Sequence, residues 1–289
     1  VDWYRKTTND LLLNADQVYS SGFSSVYMNI GSIRNEGLEF SLQTKNVQSK
    51  SLTWTSNFNI SFNTNKVLAL SNGEARRLTG INFENLYGDA LYTAEVGQPT
   101  AMFYGYIFDG VYQYADFDNP SPNTYSLKKT IASNGTDRDM IQPGDIKYRD
   151  INGDGVVNSS DLSIISNPIP LHTGGFNNNL TYKGFDLSIL ITGAYGNDVY
   201  NYIAAEASNP NNINLSRNLL VKSMDYAKLT TDASGNPVLA NPGTRVPRIS
   251  NNQTSSANNF LRITDRFLED GSYLRLKNIS LSYNIPATV

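Results

Sequence analysis

The chain has no cysteine and one histidine, His172. Without cysteine there is no disulfide framework, thiol nucleophile or thiolate metal site, and one histidine rules out a multi-histidine zinc site. Compartment stays open on that ground, because oxidising and reducing locations both tolerate cysteine-free proteins. His172, just after Pro168 and Pro170, reads as a loop or interface residue. No stretch approaches the roughly 20 apolar residues of a membrane helix. The first residues lack a signal peptide's basic and apolar regions, so the chain reads as an internal piece of something longer. Charge is sparse, at 17% of residues with a net of -3. That gives no basic surface for phosphate neutralisation and argues against nucleic acid as a partner. Gly-rich phosphate loops, nucleophile elbows and histidine dyads are missing too.

What is present suits β-structure. The 289 residues include 18 Tyr and 12 Phe, and Asn, Ser, Thr and Gly fill much of the rest, as expected of many strands and turns. Leu52, Trp54, Phe58, Ile60 and Phe62 share one parity, while Ser51, Thr53, Thr55, Asn57, Asn59, Ser61 and Asn63 share the other. This is a strand with one apolar face. Leu38, Phe40 and Leu42 alternate with Glu39, Ser41 and Gln43 just upstream, and residues 46–50 join the two as a hairpin. A second hairpin runs from Leu180 and Tyr182 through Lys183-Gly184 into Phe185, Leu187, Ile189 and Ile191. Near the end, Ile279, Leu281, Tyr283 and Ile285 alternate with polar residues while Leu274 and Leu276 hold the opposite parity. That change predicts a bulge or a strand break.

Polar stretches at 64–98, 115–147 and 197–268 exceed ordinary loop lengths and should be functional or partly structured. Leu215, Leu219, Leu220 and Tyr226 lie near helical spacing, which predicts a short helix within 214–229. Two-residue turns at one end and very long loops at the other are the pattern of a transmembrane barrel. A soluble β-sandwich also shows one buried face per strand and is the commoner source of alternation. The non-apolar faces here are built of Asn, Ser, Thr and Gln rather than Lys and Glu, as in a wet lumen. A charge on a lipid face near the midplane costs roughly 2–4 kcal/mol, so the clean apolar parity of 52–62 is what lipid would require.

Residues 150–161 read Asp-Ile-Asn-Gly-Asp-Gly-Val-Val-Asn-Ser-Ser-Asp. Asp150, Asp154 and Asp161 stand at loop positions 1, 5 and 12, Asn152 and Asn158 at 3 and 9, the Val156 carbonyl at 7 and Gly155 at 6. This is calcium-loop spacing with Asp in place of the usual final Glu. The bland reading is an Asx/Gly-rich turn, since these residues favour turns whatever binds there. The sequence expectation is a structural calcium ion held by Asp150, Asn152, Asp154, Val156, Asn158 and Asp161. Such a loop between barrel-like strands points outside the cytoplasm.

Several stretches resemble the SusC/RagA-like TonB-linked (TonB-dependent) outer-membrane transporters. They are Tyr4 to Leu13 (YRKTTNDLLL), Asn29-Ile-Gly31 with Asn35-Glu-Gly37-Leu-Glu39, Glu95 to Gln113, Gly144 to Pro168, and Phe267 to Pro286 (FLEDGSYLRLKNISLSYNIP). The resemblance implies an all-β fold, with residues 1–289 forming an antiparallel C-terminal portion of a transmembrane β-barrel with long extracellular loops. It implies roughly 22 strands in the whole barrel, of which this chain has room for about ten, with the plug domain and final strands absent. It further implies a cell outer-membrane location, contact with outer-membrane lipid, a SusD-like surface lipoprotein partner, and a TonB complex reached through the missing N-terminal part. The imported substrate would be an oligosaccharide or peptide, and no catalytic residues are expected. Residues 230–246 match no family pattern, so ligand-facing loops do not carry over.

Two other classes remain open at this point. One is a secreted or surface soluble β-sheet module that binds glycan, with the calcium loop as stabiliser. The other is a polysaccharide-degrading enzyme using Asp265 with Glu269, or Glu269 with Asp270, as paired carboxylates. A salt-bridged loop beside Arg262, Arg266 and Arg275 is the plainer account of those acids. Trp3, Trp54 and the tyrosines read as interface girdle, sugar-stacking platforms or packing. Tyr104, Tyr106, Tyr112 and Tyr114 share one parity and could line either face. Asn-x-Ser/Thr triplets at Asn59, Asn179 and Asn278 lie in predicted strands and are discounted as glycan acceptors.

Overall fold

A computed structural model describes residues 1–16, 25–70, 73–79, 91–121, 124–209, 218–249 and 262–285. The chain opens with three long strands, β1 (Asp2–Asp16), β2 (Ser25–Gln48) and β3 (Leu52–Ala69). It then leaves them for a first excursion containing β4 (Arg76–Thr79), β5 (Tyr92–Glu95), β6 (Met102–Gly105), β7 (Phe108–Val111), β8 (Phe117–Ser121), β9 (Thr124–Leu127), β10 (Ile146–Tyr148) and β11 (Ser163–Ser166). Long strands resume with β12 (His172–Tyr182) and β13 (Phe185–Tyr195). A second excursion holds β14 (Asp198–Tyr200), the short helix α1 (Tyr202–Ala207), β15 (Leu229–Thr231), β16 (Pro237–Leu239) and β17 (Leu268–Asp270), before β18 (Tyr273–Tyr283).

The long strands form one six-stranded sheet in the order β1-β2-β3-β12-β13-β18, antiparallel throughout. Six wall strands rather than about ten follow because the excursions consume so much chain in small sheets of their own. Both predicted hairpins are present. Lys183 and Gly184 each take positive φ, 46° and 87°, the two-residue turn whose twist matches its flanking strands. The parity change near the C-terminal end is resolved by a bulge: Leu276 pairs with Ile191 and Asn278 with Leu190, leaving Lys277 as the extra residue. Leu274 and Leu276 thereby reach the same face as Ile279, Leu281 and Tyr283.

The buried core lies in the excursions, not under the wall. Tyr106, Ile146, Tyr148 and Val157 form one cluster, Tyr112, Phe117, Leu127 and Ile141 a second, and Leu91, Phe103 and Ile263 a third. Where they are described, the long polar stretches are therefore structured, with apolar residues spaced between polar turns. The helix predicted within 214–229 is not where the structure puts one. α1 precedes it, started by Asn201, whose side chain accepts the Ala204 N–H. Within the predicted range only a 3₁₀ turn, Val221–Asp225, is described, flanked by extended Leu220 and Tyr226. Tyr226 bridges Val246, so strand pairing draws the backbone away from a helix. Leu215 lies outside the described residues.

Candidate functional site

Alternation along each wall strand, locked by the register, sorts the sheet into two chemically distinct faces. On one face the rows run Phe62–His172–Tyr195, Ile60–Gly174–Gly193–Leu274, Phe58–Phe176–Ile191–Leu276, Ser56–Asn178–Ile189–Ile279, Trp54–Leu180–Leu187–Leu281 and Leu52–Tyr182–Phe185–Tyr283. β2 adds Leu38, Phe40 and Leu42 to the upper three, and Trp3 lies opposite Leu38. The opposite face carries Thr53, Thr55, Asn57, Asn59 and Ser61 against Thr181, Asn179, Asn177, Gly175 and Thr173. Among the described residues no second sheet covers the apolar face: Phe58 is 37% exposed, Leu281 69% and Leu274 83%. A soluble sandwich would bury these side chains.

The apolar band has edges. From Leu52 to Phe62 the rise is about 34 Å along the strand, or about 26 Å of height at a typical barrel tilt, matching the roughly 25 Å apolar band of outer-membrane barrels. At one end sit Tyr182, Phe185 and Tyr283, with the last two rings 4.5 Å apart. At the other sit Trp3, Phe62, His172 and Tyr195, His172 stacking on Tyr195 at 5.2 Å. Beyond this second aromatic row the same face turns charged at once, with Arg5 paired to Glu36 at 3.1 Å and Arg34 also on Glu36. Aromatic girdles flanked by charge are what the two water interfaces of a bilayer select. Both short turns lie at the first end and both excursions leave from the second.

The 150–161 loop is braced by its own backbone. Asp150 accepts N–H bonds from Gly153 and Gly155, both at 2.8 Å. Asn152 accepts from Asp154, Asp154 from Val156 and Asn158 from Ser160, at 3.0, 2.8 and 2.8 Å. These two-residue reaches are Asx turns, and Gly153 and Gly155 supply the positive φ that the path needs, 74° and 85°. The Val156 N–H bond, followed by Asn152, holds the exposed Asp154 carboxyl below its usual range. The loop docks through buried Val157, whose N–H reaches the Ser133 carbonyl at 2.9 Å, and through Arg138, which donates to the carbonyls of Gly155, Ile131 and Lys128.

The donor set suits a hard cation only in part. Each side-chain oxygen of Asp150, Asn152 and Asp154 that accepts one N–H keeps a further lone pair. Asp161 is different: it is fully buried, and its two oxygens accept from Ile151 and Asn158, both at 2.8 Å. Asn158 spends its amide on the Val156 carbonyl at 3.1 Å. Among the described residues no group of three or more acidic or histidine side chains is arranged to hold a metal.

The aromatic segment after Glu95 is packing rather than a stacking platform. Tyr104, Tyr106 and Tyr112 are buried, and Tyr112 donates to the Ala132 carbonyl at 2.7 Å. Burial, reinforced by nearby Asp145, pushes its phenol well above the usual range. Each of the paired acids is engaged by a polar partner. Asp265 accepts the Phe108 N–H, Glu269 the Asn201 amide and Asp270 the Ser272 N–H. The nearby arginines lie over rings, Arg262 over Tyr106 at 4.5 Å, Arg266 over Phe267 at 4.7 Å and Arg275 over Tyr273 at 5.1 Å. Periodicity could not reveal the Arg262 contact, because Tyr106 lies in a distant part of the chain, whereas Phe267 and Tyr273 are sequence neighbours of their arginines.

No family model matches the chain. TonB-dependent receptor P3 of Formosa agariphila is 33% identical over 285 residues, 99% of this chain and 25% of the receptor. TonB-dependent receptor P26 of the same organism is 32% identical over 291 residues, again 99% of this chain, and 26% of that receptor. TonB-dependent receptor SusC of Bacteroides thetaiotaomicron is 24% identical over 285 residues, covering 98% of this chain and 24% of SusC. The chain thus spans about a quarter of the length of the curated relatives it matches. The solved structure of the RagAB peptide transporter superposes with a TM-score of 0.65 at 21% identity, over 99% of this chain and 27% of that one, which supports the antiparallel wall as the fold. With two aromatic-edged rows bounding an uncovered apolar band, the chain is a stretch of β-barrel wall similar along nearly its whole length to TonB-dependent receptors, SusC among them.

Proposed function

We propose that this chain is barrel wall and outer loops of an active transporter that imports oligosaccharides or peptides handed over by a SusD-like surface lipoprotein. The plug and the segment that contacts the TonB complex are supplied by other parts of a longer protein. The observation that carries the reading is the uncovered apolar band, which outer-membrane lipid solvates while the Asn- and Thr-rich face stays wet. A closed barrel satisfies every backbone polar group in lipid, whereas the wall by itself leaves β1 and β18 as unpaired edges prone to aggregation. The SusC and RagAB likenesses support nutrient import and a paired lipoprotein. The wall's role is passage and shape, with no catalysis.

The test is cellular and uses the full-length protein. It should fractionate with the outer membrane, resist carbonate extraction and require detergent, and its deletion should abolish growth on one class of oligosaccharide or peptide. Extraction without detergent would favour the soluble glycan-binding module instead.

We propose further that the 150–161 loop takes a calcium ion on its open side through Asp150, Asn152, Asp154 and the Val156 carbonyl, with Asn158 and Asp161 shaping the loop. With Asp161 turned inward the charge count is low, so affinity belongs with weak extracellular modules, at about 10⁻⁴–10⁻³ M. Terbium luminescence on the full-length protein, displaced by calcium and lost in Asp154→Ala, measures it.

A further inference from the structure

Two glycines lie side by side in the apolar band, one row in from its outer aromatic edge. Gly174 of β12 pairs with Gly193 of β13, and their row continues to Ile60 and Leu274. Where the neighbouring rows project rings and branched chains, this one is bare backbone. The result is a hollow of about 480 Å³, with Phe58 and Ile191 on the turn side, Ile60 and Leu274 at the flanks, and His172 and Tyr195 at the excursion end. That volume lies within the range of ligand pockets, about 300–1,000 Å³. Its upper end is closed by fixed rings: His172 is 5.3 Å from Phe62 and stacked on Tyr195.

We infer that the hollow seats one acyl chain of an outer-leaflet lipid, with the lipid's ester or amide linkage at the level of His172 and Tyr195. This rests on the membrane reading above. Sidedness follows from the turns: the two-residue turn at Lys183-Gly184 marks the periplasmic end, so the His172 end faces outward. The occupant follows from continuity with the belt, since hydrocarbon is what meets this face at that depth. Tails gain nothing hydrophobic by leaving other tails. The gain is contact, because a gap beside bare backbone forfeits dispersion that a fitted chain restores. Selectivity comes from the rim, where the imidazole and phenol offer polar atoms at the point where a lipid changes from chain to linkage.

The glycines are poor test positions. A Cβ on Gly174 would lie 2.8 Å from the Asn59 carbonyl oxygen and one on Gly193 3.0 Å from that of Tyr273, so larger residues there would disturb strand pairing. Leu274 is the better handle, being 83% exposed on the hollow's flank. Leu274→Trp fills the space from the side, and Leu281→Trp, on the same strand and face near the periplasmic end, is the control. Full-length receptor is purified in detergent, stripped of lipid, titrated with lipid A or phosphatidylethanolamine, and read by native mass spectrometry. Wild type and Leu281→Trp should each hold one more tightly bound lipid A than Leu274→Trp, which should bind it roughly tenfold more weakly. His172→Phe should keep the stack but narrow the preference for lipid A over phosphatidylethanolamine. Equal lipid binding in wild type and Leu274→Trp, in a protein that still needs detergent, overturns the acyl-chain site alone. A receptor soluble without detergent overturns the membrane reading beneath it.

Discussion

Ser56 donates its hydroxyl proton to Asn178 Oδ1 at 2.7 Å, a polar pair set within the apolar band between the Trp54–Leu180 and Phe58–Phe176 rows. The Trp54 indole donates to the same oxygen at 3.1 Å, and Asn46 donates to Ser56 Oγ at 2.7 Å. Asn46 is the extra residue of a bulge between Lys45 and Val47. A polar row is tolerable in hydrocarbon only if its members satisfy one another. Asn178→Leu should therefore orphan Ser56 and Trp54 and cost about 1–3 kcal/mol. Adding Ser56→Ala should recover part of that loss. Urea unfolding of the full-length protein from liposomes measures both; a double variant less stable than the single one would show that the pair is not coupled.

The two faces of β3 should answer a charge in opposite ways. Phe58 lies opposite Leu42 and Phe176, Asn57 opposite Gln43 and Asn177. Phe58→Lys places an ammonium in the lipid belt at a cost of about 2–4 kcal/mol near the midplane and should reduce the amount of assembled, heat-modifiable receptor. Asn57→Lys enters the wet side and should assemble normally. Equal tolerance at both positions would reject the assignment of faces.

How much of this was legible beforehand depends on where the partner of each residue sits. β3, β12 and β13 were readable because a strand's face is set by alternation alone, and Lys183-Gly184 named its own turn. The Leu276-to-Ile279 parity change announced a defect; only the register shows that it restores the face rather than ending the strand. The 150–161 spacing gave the Asx turns, yet the inward turn of Asp161 depends on the N–H groups of Ile151 and Asn158 that it finds on folding. Least legible were the excursions. There Tyr106 packs against residues some forty positions away, and Arg262 comes from farther still, so no local period announces either.

One such distant pair should decide whether the outer caps hold together. Asp145 is fully buried and forms an ion pair with Arg248, whose Nε lies 2.7 Å away and whose Nη2 donates at 3.3 Å, while accepting the Gln142 N–H at 2.9 Å. Arg248 in turn donates its backbone N–H to the Gly144 carbonyl at 2.7 Å. Removing one partner of a buried pair leaves an uncompensated charge, worth about 3–5 kcal/mol. Arg248→Ala should thus release the β15–β16 region to protease while the wall stays assembled. Asp145→Asn with Arg248→Gln should be milder, since no charge is stranded. Cleavage rates within 229–249 on intact cells give the comparison, and unchanged cleavage in Arg248→Ala would remove the pair from the account of loop docking.

The exposed loops should be sensitive to acid, and the sign follows from how their carboxylates are held. Asp154 is kept below the ordinary aspartate value of 3.8 chiefly by the Val156 N–H, and Asp232 chiefly by the Asn236 side chain. Folded values below the unfolded one mean that the bracing is fully present above 3.8 and is lost as pH falls through the folded values. Pepsin cleavage at 150–161 should therefore rise below about pH 3.8 and stay low above it. Asp154→Asn keeps an oxygen for the Val156 N–H but cannot be protonated in this range. It should weaken the pH step at 150–161 while leaving the one at 230–237 in place. If both segments lose their step together, the loop carboxylates are not what acid releases, and a wider loosening of the caps must come first.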